Sequence, residues 1–558
     1  MIRVIGLSIC LGLVAPAPAL LGAQPSTPSP WSGTVQPRGQ SSLSSLPWSS
    51  EASIFAQGED DPPPGDDDDD APIDIPDDQF VAREVLVIPA VGVSIDVILA
   101  TYAVQLLEAF EPLRAYRIST PANLTDEEFV LLLDGDTRIQ ESEVNLLFEP
   151  PEVERRNLAF LDGSPSANEY VDQSAVGRLR LESANLFSTG AGVTVAVIDT
   201  GLDLTHPLFA GRTVPGFDFL DNDSDPSEVA DGVDENQDGL IDPSFGHGTH
   251  VAGLVVLAAP QARILPLRCF SSEGVGDAYA IAKAIWFAVE AGARVINMSF
   301  GLTYRSAVLS TSLSRAFEAG LHLVASAGND GMANAPPYPA RKLEVMAVAA
   351  TDAEDRRADF SNYGTFVDIS APGVDLYSAF PNGGAAIWSG TSMAAPLVSG
   401  AIARLCALNL PQPAIEQAVL DAAWPIAAVN PGLDGLLGSG RIDALAAVER
   451  GLGWSEQTPS LKLEGTPPAP LLSAIQSGPD LTADFYYGFV DASGEFHSLG
   501  ASGFEPGLFP TASAVVLSSG FAIAAQPLPK PPADAVLVFV ALTDPGTLNP
   551  RALSTLQQ

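Results

Sequence analysis

Three short stretches of this 558-residue chain set a reactive side chain among glycines and other small residues. Ile198-Asp199-Thr200-Gly201 ends an apolar run with a carboxylate, and Gly246-His247-Gly248-Thr249-His250 presents an imidazole ahead of another. Gly390-Thr391-Ser392-Met393-Ala394 offers a hydroxyl where a glycine turn leads into an apolar helix, Leu397 to Leu408. A serine hydroxyl is a weak nucleophile until a base takes its proton, and neutral histidine is the base best matched to neutral pH. A carboxylate behind the histidine fixes its tautomer and stabilises the imidazolium that forms. Negative charge on the attacked oxygen then needs donors. Backbone N–H groups at the start of the Ser392 helix supply one, and the amide of Asn329, in Ser326-Ala327-Gly328-Asn329-Asp330, another. Taken singly, a strand-end Asp is a cap and Gly-Thr-Ser an N-cap. Taken together they spell nucleophilic attack on a carbonyl. His250 lacks the acidic neighbour of zinc-binding helices and is read as structural.

The three blocks resemble the signature segments of the subtilisin-like serine proteases, the subtilases (peptidase S8), in that family's chain order of Asp, His and Ser. His247 lies 48 residues after Asp199, and Ser392 a further 145 on. The resemblance covers roughly residues 171–453. It implies a three-layer α/β/α sandwich with a mainly parallel sheet. It also implies a triad of Asp199, His247 and Ser392, with Asn329 as oxyanion donor. Asn297-Met298-Ser299-Phe300-Gly301 resembles the strand edge on which the family binds peptide as an added strand. Ser299, Phe300 and Gly301, with Ala325, Ser326 and Ala327, would then line the pocket for the residue before the scissile bond. Neither segment carries charge, which predicts an apolar preference. Pro337 stands where many relatives have a glycine at the pocket floor and would make it shallower.

Between the Asp and His blocks, Asp234, Asn236 and Asp238 alternate before Gly239, with Asp242 just beyond. Oxygen ligands at alternate positions ahead of a glycine are similar to the first half of an EF-hand loop. Phe245 replaces that loop's bidentate Glu, so the expectation is a structural calcium site built from Asp234, Asn236, Asp238 and Asp242. The acidic residue that relatives' usual calcium site takes after His-Pro is Leu208 here.

The elements that must hold these residues are legible. Apolar strands at Val193–Ile198, Arg263–Leu267, Val295–Met298, Leu321–Ala325 and Val345–Ala349 alternate with helical stretches at Ala278–Ala291 and Ser306–Ala319. Such alternation predicts a parallel sheet covered on both faces. Ahead of it, residues 80–150 read as a small α+β unit: a strand at Glu84–Pro89, a helix over Ser94–Phe110, a strand at Tyr116–Ile118, a helix over Asn123–Leu133 and a strand at Val144–Phe148. It sits where subtilases carry an inhibitory propeptide, so self-cleavage is expected between about Phe148 and Tyr170. The expected division is an export signal over 1–23, a disordered acidic and Pro-rich segment over 24–79, the propeptide-like unit over 80–150, a linker over 151–170, the catalytic domain over 171–453 and a β-rich module over 454–558. In that module strands fall near 484–490 and 535–542, with Asp491–Glu495 as a hairpin turn.

Arg3, the apolar run Val4–Val14 and the small residues Ala15, Ala17, Ala19 and Ala23 make the signal. Hence the expectation of a protein exported to the medium or cell envelope, with no membrane span in the mature chain. A net charge of −41 argues against nucleic acid and anionic membranes as partners. Once Cys10 leaves with the signal, Cys269 and Cys406 remain, too few to staple a chain this size. They are expected as separate buried thiols. The reading is a monomeric secreted endopeptidase acting on protein or peptide substrates, matured by removal of its own propeptide. Two alternatives share the residues: a dedicated processing protease or transpeptidase, and an inactive protease scaffold used for binding.

Overall fold

The computed structural model describes residues 75–76, 78–154, 159–162, 166–234 and 239–453, and beyond these the backbone of short strands between 461 and 556. The expected export signal and nearly all of the acidic segment lie outside the described residues.

The centre is a seven-stranded, wholly parallel sheet in the order β13-β12-β11-β10-β6-β8-β7. Its strands are β6 (Thr194–Asp199), β7 (Phe217–Asp218), β8 (Arg263–Arg268), β10 (Val295–Met298), β11 (His322–Ser326), β12 (Val345–Thr351) and β13 (Ile369–Pro372). Every residue of β6, β10, β11 and β12 is buried, as expected of strands covered on both sides. Side chains alternate between two cores. Val195 and Val197 pack with the helices α7 (His247–Ala258) and α10 (Thr391–Cys406), whereas Ala196 and Ile198 pack with α8 (Ala278–Glu290) and α9 (Ala307–Glu318). The result is the three-layer α/β/α sandwich. Short helices α4 (Ala167–Asp172), α5 (Ser174–Arg178) and α6 (Leu181–Ala184) precede β6, and α11 (Gln412–Asp421) and α12 (Ala444–Gly451) close the domain. Cys269 and Cys406 are buried free thiols.

The preceding unit is an antiparallel sheet ordered β2-β3-β1-β4, extended by the two-residue β9 (Gly276–Asp277). Its members are β1 (Phe80–Pro89), α1 (Ile95–Tyr102), β2 (Leu106–Phe110), β3 (Ala115–Ser119), α2 (Asp126–Asp134) and β4 (Ile139–Phe148). One face carries α1 and α2 over Val85, Val87 and Ile118. The other, through Leu86, Ile88 and Phe110, merges with the core around α8. The helix expected to run to Phe110 stops at Tyr102. Ala103 turns left-handed there (φ 54°), and Leu106–Phe110 pairs with β3 instead. Sheet pairing has overridden a helix-compatible sequence. Glu143 of β4 accepts from Ala307 N (2.6 Å), Val308 N (3.1 Å) and Ser306 Oγ (2.8 Å), so its carboxylate caps α9 across the contact.

After β4 the chain forms one helical turn, α3 (Pro151–Glu154), then β5 (Phe160–Asp162). β5 pairs antiparallel with β15 (Gly384–Trp388), itself paired with β14 (Leu376–Phe380). Toward the C-terminus Tyr486–Val490 pairs antiparallel with Phe496–Ser498 and with Val536–Val540. The turn expected at Asp491–Glu495 lies outside the described residues. Among the described residues no helix is long and apolar enough to cross a membrane.

Candidate active site

β6 delivers Asp199 to the carboxyl edge of the sheet, the edge at which α/β proteins place their sites. Asp199 Oδ1 accepts from Thr200 N at 2.8 Å and lies 2.7 Å from His247 Nδ1. The imidazole is thereby set with Nε2 facing away from the carboxylate. His247 opens α7, and that helix start must come very close to the strand. A Cβ on Gly248 would lie 2.2 Å from Gly201 O and 3.1 Å from Asp199 Cβ, so only glycine fits.

The approach is fastened by a residue that no sequence block contains. Glu228 is half-buried, and its carboxylate accepts from Thr200 Oγ1 (2.5 Å), Gly246 N (3.0 Å), Thr249 N (3.1 Å) and Thr249 Oγ1 (2.8 Å). It caps α7 and ties that helix to the residue after Asp199. Burial pushes its pKa up, against the pull of those donors. His250, one turn along α7, directs Nε2 to Leu376 O (3.1 Å) and Ala386 O (3.2 Å). Burial, with His247 beside it, lowers its pKa to about 3. It is a neutral structural donor, as its sequence context suggested.

Ser392 is the second residue of α10 and is fully buried. Asn329 follows β11, and its Oδ1 accepts from Thr391 N (3.0 Å) and Thr391 Oγ1 (2.8 Å). Those bonds turn its Nδ2 toward Ser392. The groups do not face an open cleft. Glu152 of α3, 1% exposed, reaches in between them. Its Oε1 accepts from Asn329 Nδ2 at 2.9 Å and Ser392 N at 3.3 Å. Its Oε2 accepts from Ser392 Oγ at 2.6 Å and lies 3.3 Å from His247 Nε2. Gly390 leaves the space, since a Cβ there would sit 1.7 Å from Glu152 Oε1. Burial by itself would lower the His247 pKa, but the carboxylates of Asp199 and Glu152 outweigh it and raise it to about 10. In this state the imidazole is held as the cation. Sequence reading missed Glu152; the signal available was a Pro150-Pro151-Glu152 run directly behind the propeptide-like unit.

The edge expected to bind peptide carries this same segment. Glu149 bridges antiparallel to Gly301, whose N–H donates to Glu149 O at 3.1 Å. Ser299 Oγ accepts from Asn297 Nδ2 (2.9 Å) and donates to Ser392 O (3.0 Å), bracing the edge against α10. Phe300 is buried edge-on to Phe148, with ring centroids 6.0 Å apart. Ala325, Ser326 and Ala327 are buried at the end of β11. Pro337 lies between two glycines, 3.0 Å from a Cβ built on Gly301 and 3.4 Å from one on Gly328.

Of the four residues expected to hold calcium, Asn236 and Asp238 lie outside the described residues. Asp242 accepts from Asp231 N (3.1 Å) and Gly232 N (2.9 Å), and Asp234 Oδ2 accepts from Gly239 N (3.0 Å). These carboxylates fold the loop on itself. Among the described residues no group of three or more acidic, His or Cys side chains could hold a metal.

A parallel α/β sandwich with Asp, His, Ser and an amide at one sheet edge defines a class, the serine peptidases built on such a sheet. The subtilase family matches residues 190–454. Thermitase of Thermoactinomyces vulgaris is 37% identical over 270 residues, 47% of this chain and 90% of thermitase. A thermophilic serine proteinase of Bacillus sp. (strain AK1) is 38% identical over 268 residues, 46% of this chain and 62% of that one. The fold is also similar to that of fervidolysin from Fervidobacterium pennivorans, with a TM-score of 0.55 at 21% identity over 77% of this chain and 69% of that one. The chain belongs to the subtilase family, and its activity is that of a subtilisin-like serine endopeptidase acting on protein substrates.

Proposed function

We propose that Ser392, His247 and Asp199 perform the hydrolysis, with Asn329 Nδ2 and Ser392 N–H as the oxyanion donors, and that residues 80–154 hold the enzyme latent until cleaved. One observation carries this reading: a carboxylate oxygen lies within reach of both donors while its mate lies against Ser392 Oγ and His247 Nε2. A carboxylate so bound imitates the charged oxygen that forms when serine attacks a carbonyl. With Glu152 withdrawn, His247 Nε2 takes the Ser392 proton as the oxygen attacks, and Asp199 steadies the imidazolium. The proton then passes to the leaving amine, the peptide departs, and water attacks the acyl-enzyme by the same steps in reverse.

The latent form resists its own nucleophile for a backbone reason. Continuing the antiparallel register of Glu149 with Gly301 would set residue 151 opposite Ser299. That residue is proline, which has no N–H to give the Ser299 carbonyl, and the chain turns into α3 instead. Side-chain carboxylate rather than a peptide carbonyl then fills the oxyanion position. Processing therefore falls after Glu152, within the expected interval up to Tyr170. The pocket beside Ser299–Gly301 and Ala325–Ala327 accepts apolar residues, calcium steadies the 231–242 loop, and the signal over 1–23 exports the chain.

The test is active-site labelling with a fluorophosphonate. The processed protein should label on Ser392 and cut peptide substrates, while S392A should remain folded, unlabelled and unprocessed. A processed protein that neither labels nor cleaves would leave the binding-scaffold alternative standing.

A further inference from the structure

Two described pieces of the chain just before the catalytic domain lie on either side of the site. Glu149 pairs antiparallel at Gly301, Glu152 meets Ser392, and Phe160–Asp162 pairs antiparallel along β15 in the register Phe160 with Ile387, Leu161 with Ala386 and Asp162 with Ala385. On the side of Glu149 lie residues that precede the nucleophile, and on the side of β5 lie residues that follow it. β15 belongs to the same machinery. It ends at Trp388, whose ring stands edge-on to His247 with centroids 5.3 Å apart, and its chain reaches Ser392 four residues later. β14 occupies its other edge.

The manner of binding is informative. Phe160 and Leu161 are 72% and 56% exposed, so their side chains contribute little to holding β5. What holds it is the main-chain ladder along β15, and such a ladder is indifferent to sequence. Any extended polypeptide could make the same pairing.

Resting on the triad reading above, we infer that the β15 edge is a second substrate-binding strand. It takes the leaving-group side of long, extended polypeptides as an added antiparallel strand in the place of Phe160–Asp162. The substrate class this selects is unfolded protein with chain to spare beyond the scissile bond, at little cost in sequence tolerance. Short peptides would be held only at the Gly301 edge.

The test uses the processed enzyme and fluorogenic peptides that share one acyl side and carry two to twelve extended residues on the leaving side. As the leaving side lengthens to about eight to ten residues, kcat/KM should rise roughly tenfold, mainly through KM. N-methylation of alternate backbone nitrogens in the far half should erase the gain, while side-chain changes there should not. A kcat/KM that is flat beyond the first three leaving residues, or a gain indifferent to N-methylation, overturns the inference and leaves the endopeptidase reading intact. Failure to cut any peptide overturns both.

Discussion

Ser392 Oγ donates a 2.6 Å hydrogen bond to Glu152 Oε2, a residue 240 positions earlier in the chain. On the proposed triad, nucleophile and base both meet one carboxylate, so the full-length chain is expected to be latent. In E152A the oxyanion donors and Ser392 are released. Labelling of the unprocessed chain by a fluorophosphonate should accelerate roughly tenfold or more, the scale of losing charge-assisted hydrogen bonds. Glu152→Gln keeps the shape without the charge and should fall between. Equal labelling rates in all three would remove Glu152 from the latent state.

The charge state of His247 gives a second prediction. Its pKa in the latent form is raised to about 10 by Asp199 and Glu152 acting against burial. A raised histidine pKa means the contact with Glu152 is strongest while the imidazole is protonated and is lost as pH climbs through about 10. Latency should thus be firm at neutral pH and loosen in alkali. NMR titration of His247 in full-length S392A, which cannot process itself, should find the high value. Adding E152Q should lower it. A titration unmoved by that change would mean Asp199 alone sets the charge.

Asn329→Ala removes one donor to the developing oxyanion but leaves the attacking groups alone. In processed enzyme kcat should fall roughly 10²–10³-fold with KM little changed, a magnitude carried over from subtilisin itself. The Thr391 N–H and hydroxyl would also lose their acceptor, so a melting curve should accompany the kinetics. A loss expressed in KM alone would make Asn329 a binding residue.

Chelation tests the loop between the Asp and His blocks. Asp231, Gly232 and Asp242 already close it through hydrogen bonds, so EDTA should lower the melting temperature by several degrees rather than unfold the protein. Added calcium should restore it, and D234N with D242N should blunt the response. Identical melting and activity with and without EDTA would end the calcium proposal.

Local chemistry made much of this readable in the sequence. Buried parallel strands are continuous apolar runs, so β6, β8, β10, β11 and β12 stand within a residue or two of expectation at their starts. The Asp, His and Ser blocks announce themselves because glycine must sit wherever backbone crowds the reacting groups, as Gly248 does against Gly201. Long-range geometry was not readable. Leu106–Phe110 has the composition of a helix and becomes a strand only because β3 is there to pair with it. Glu152 and Glu228 belong to no periodic pattern, and each acquires its partners solely from how distant segments dock.

Glu228 makes the last case, since it touches no reacting atom and yet fastens the neighbours of Asp199 and His247, Thr200 and Gly246, to one another. It fixes the start of α7 to Thr200, and Thr200 Oγ1 in turn accepts from Gly248 N at 2.9 Å. In E228Q the amide NH₂, whichever way it is turned, would face a backbone donor that cannot turn away, the N–H of Gly246 on one side or of Thr249 on the other. The helix start should shift by a fraction of an ångström, costing about tenfold or more in kcat of the processed enzyme, because small misplacements of a base are amplified in rate. A merely structural residue would lower the melting temperature and do no more. Glu228 also places negative charge beside Asp199, so its removal should lower the His247 pKa and move the acid limb of kcat/KM to lower pH. Glu228→Asp keeps the charge and should restore that limb even where its shorter reach leaves kcat reduced. An unshifted pH profile in E228Q would reduce Glu228 to a helix cap with no share in tuning the base.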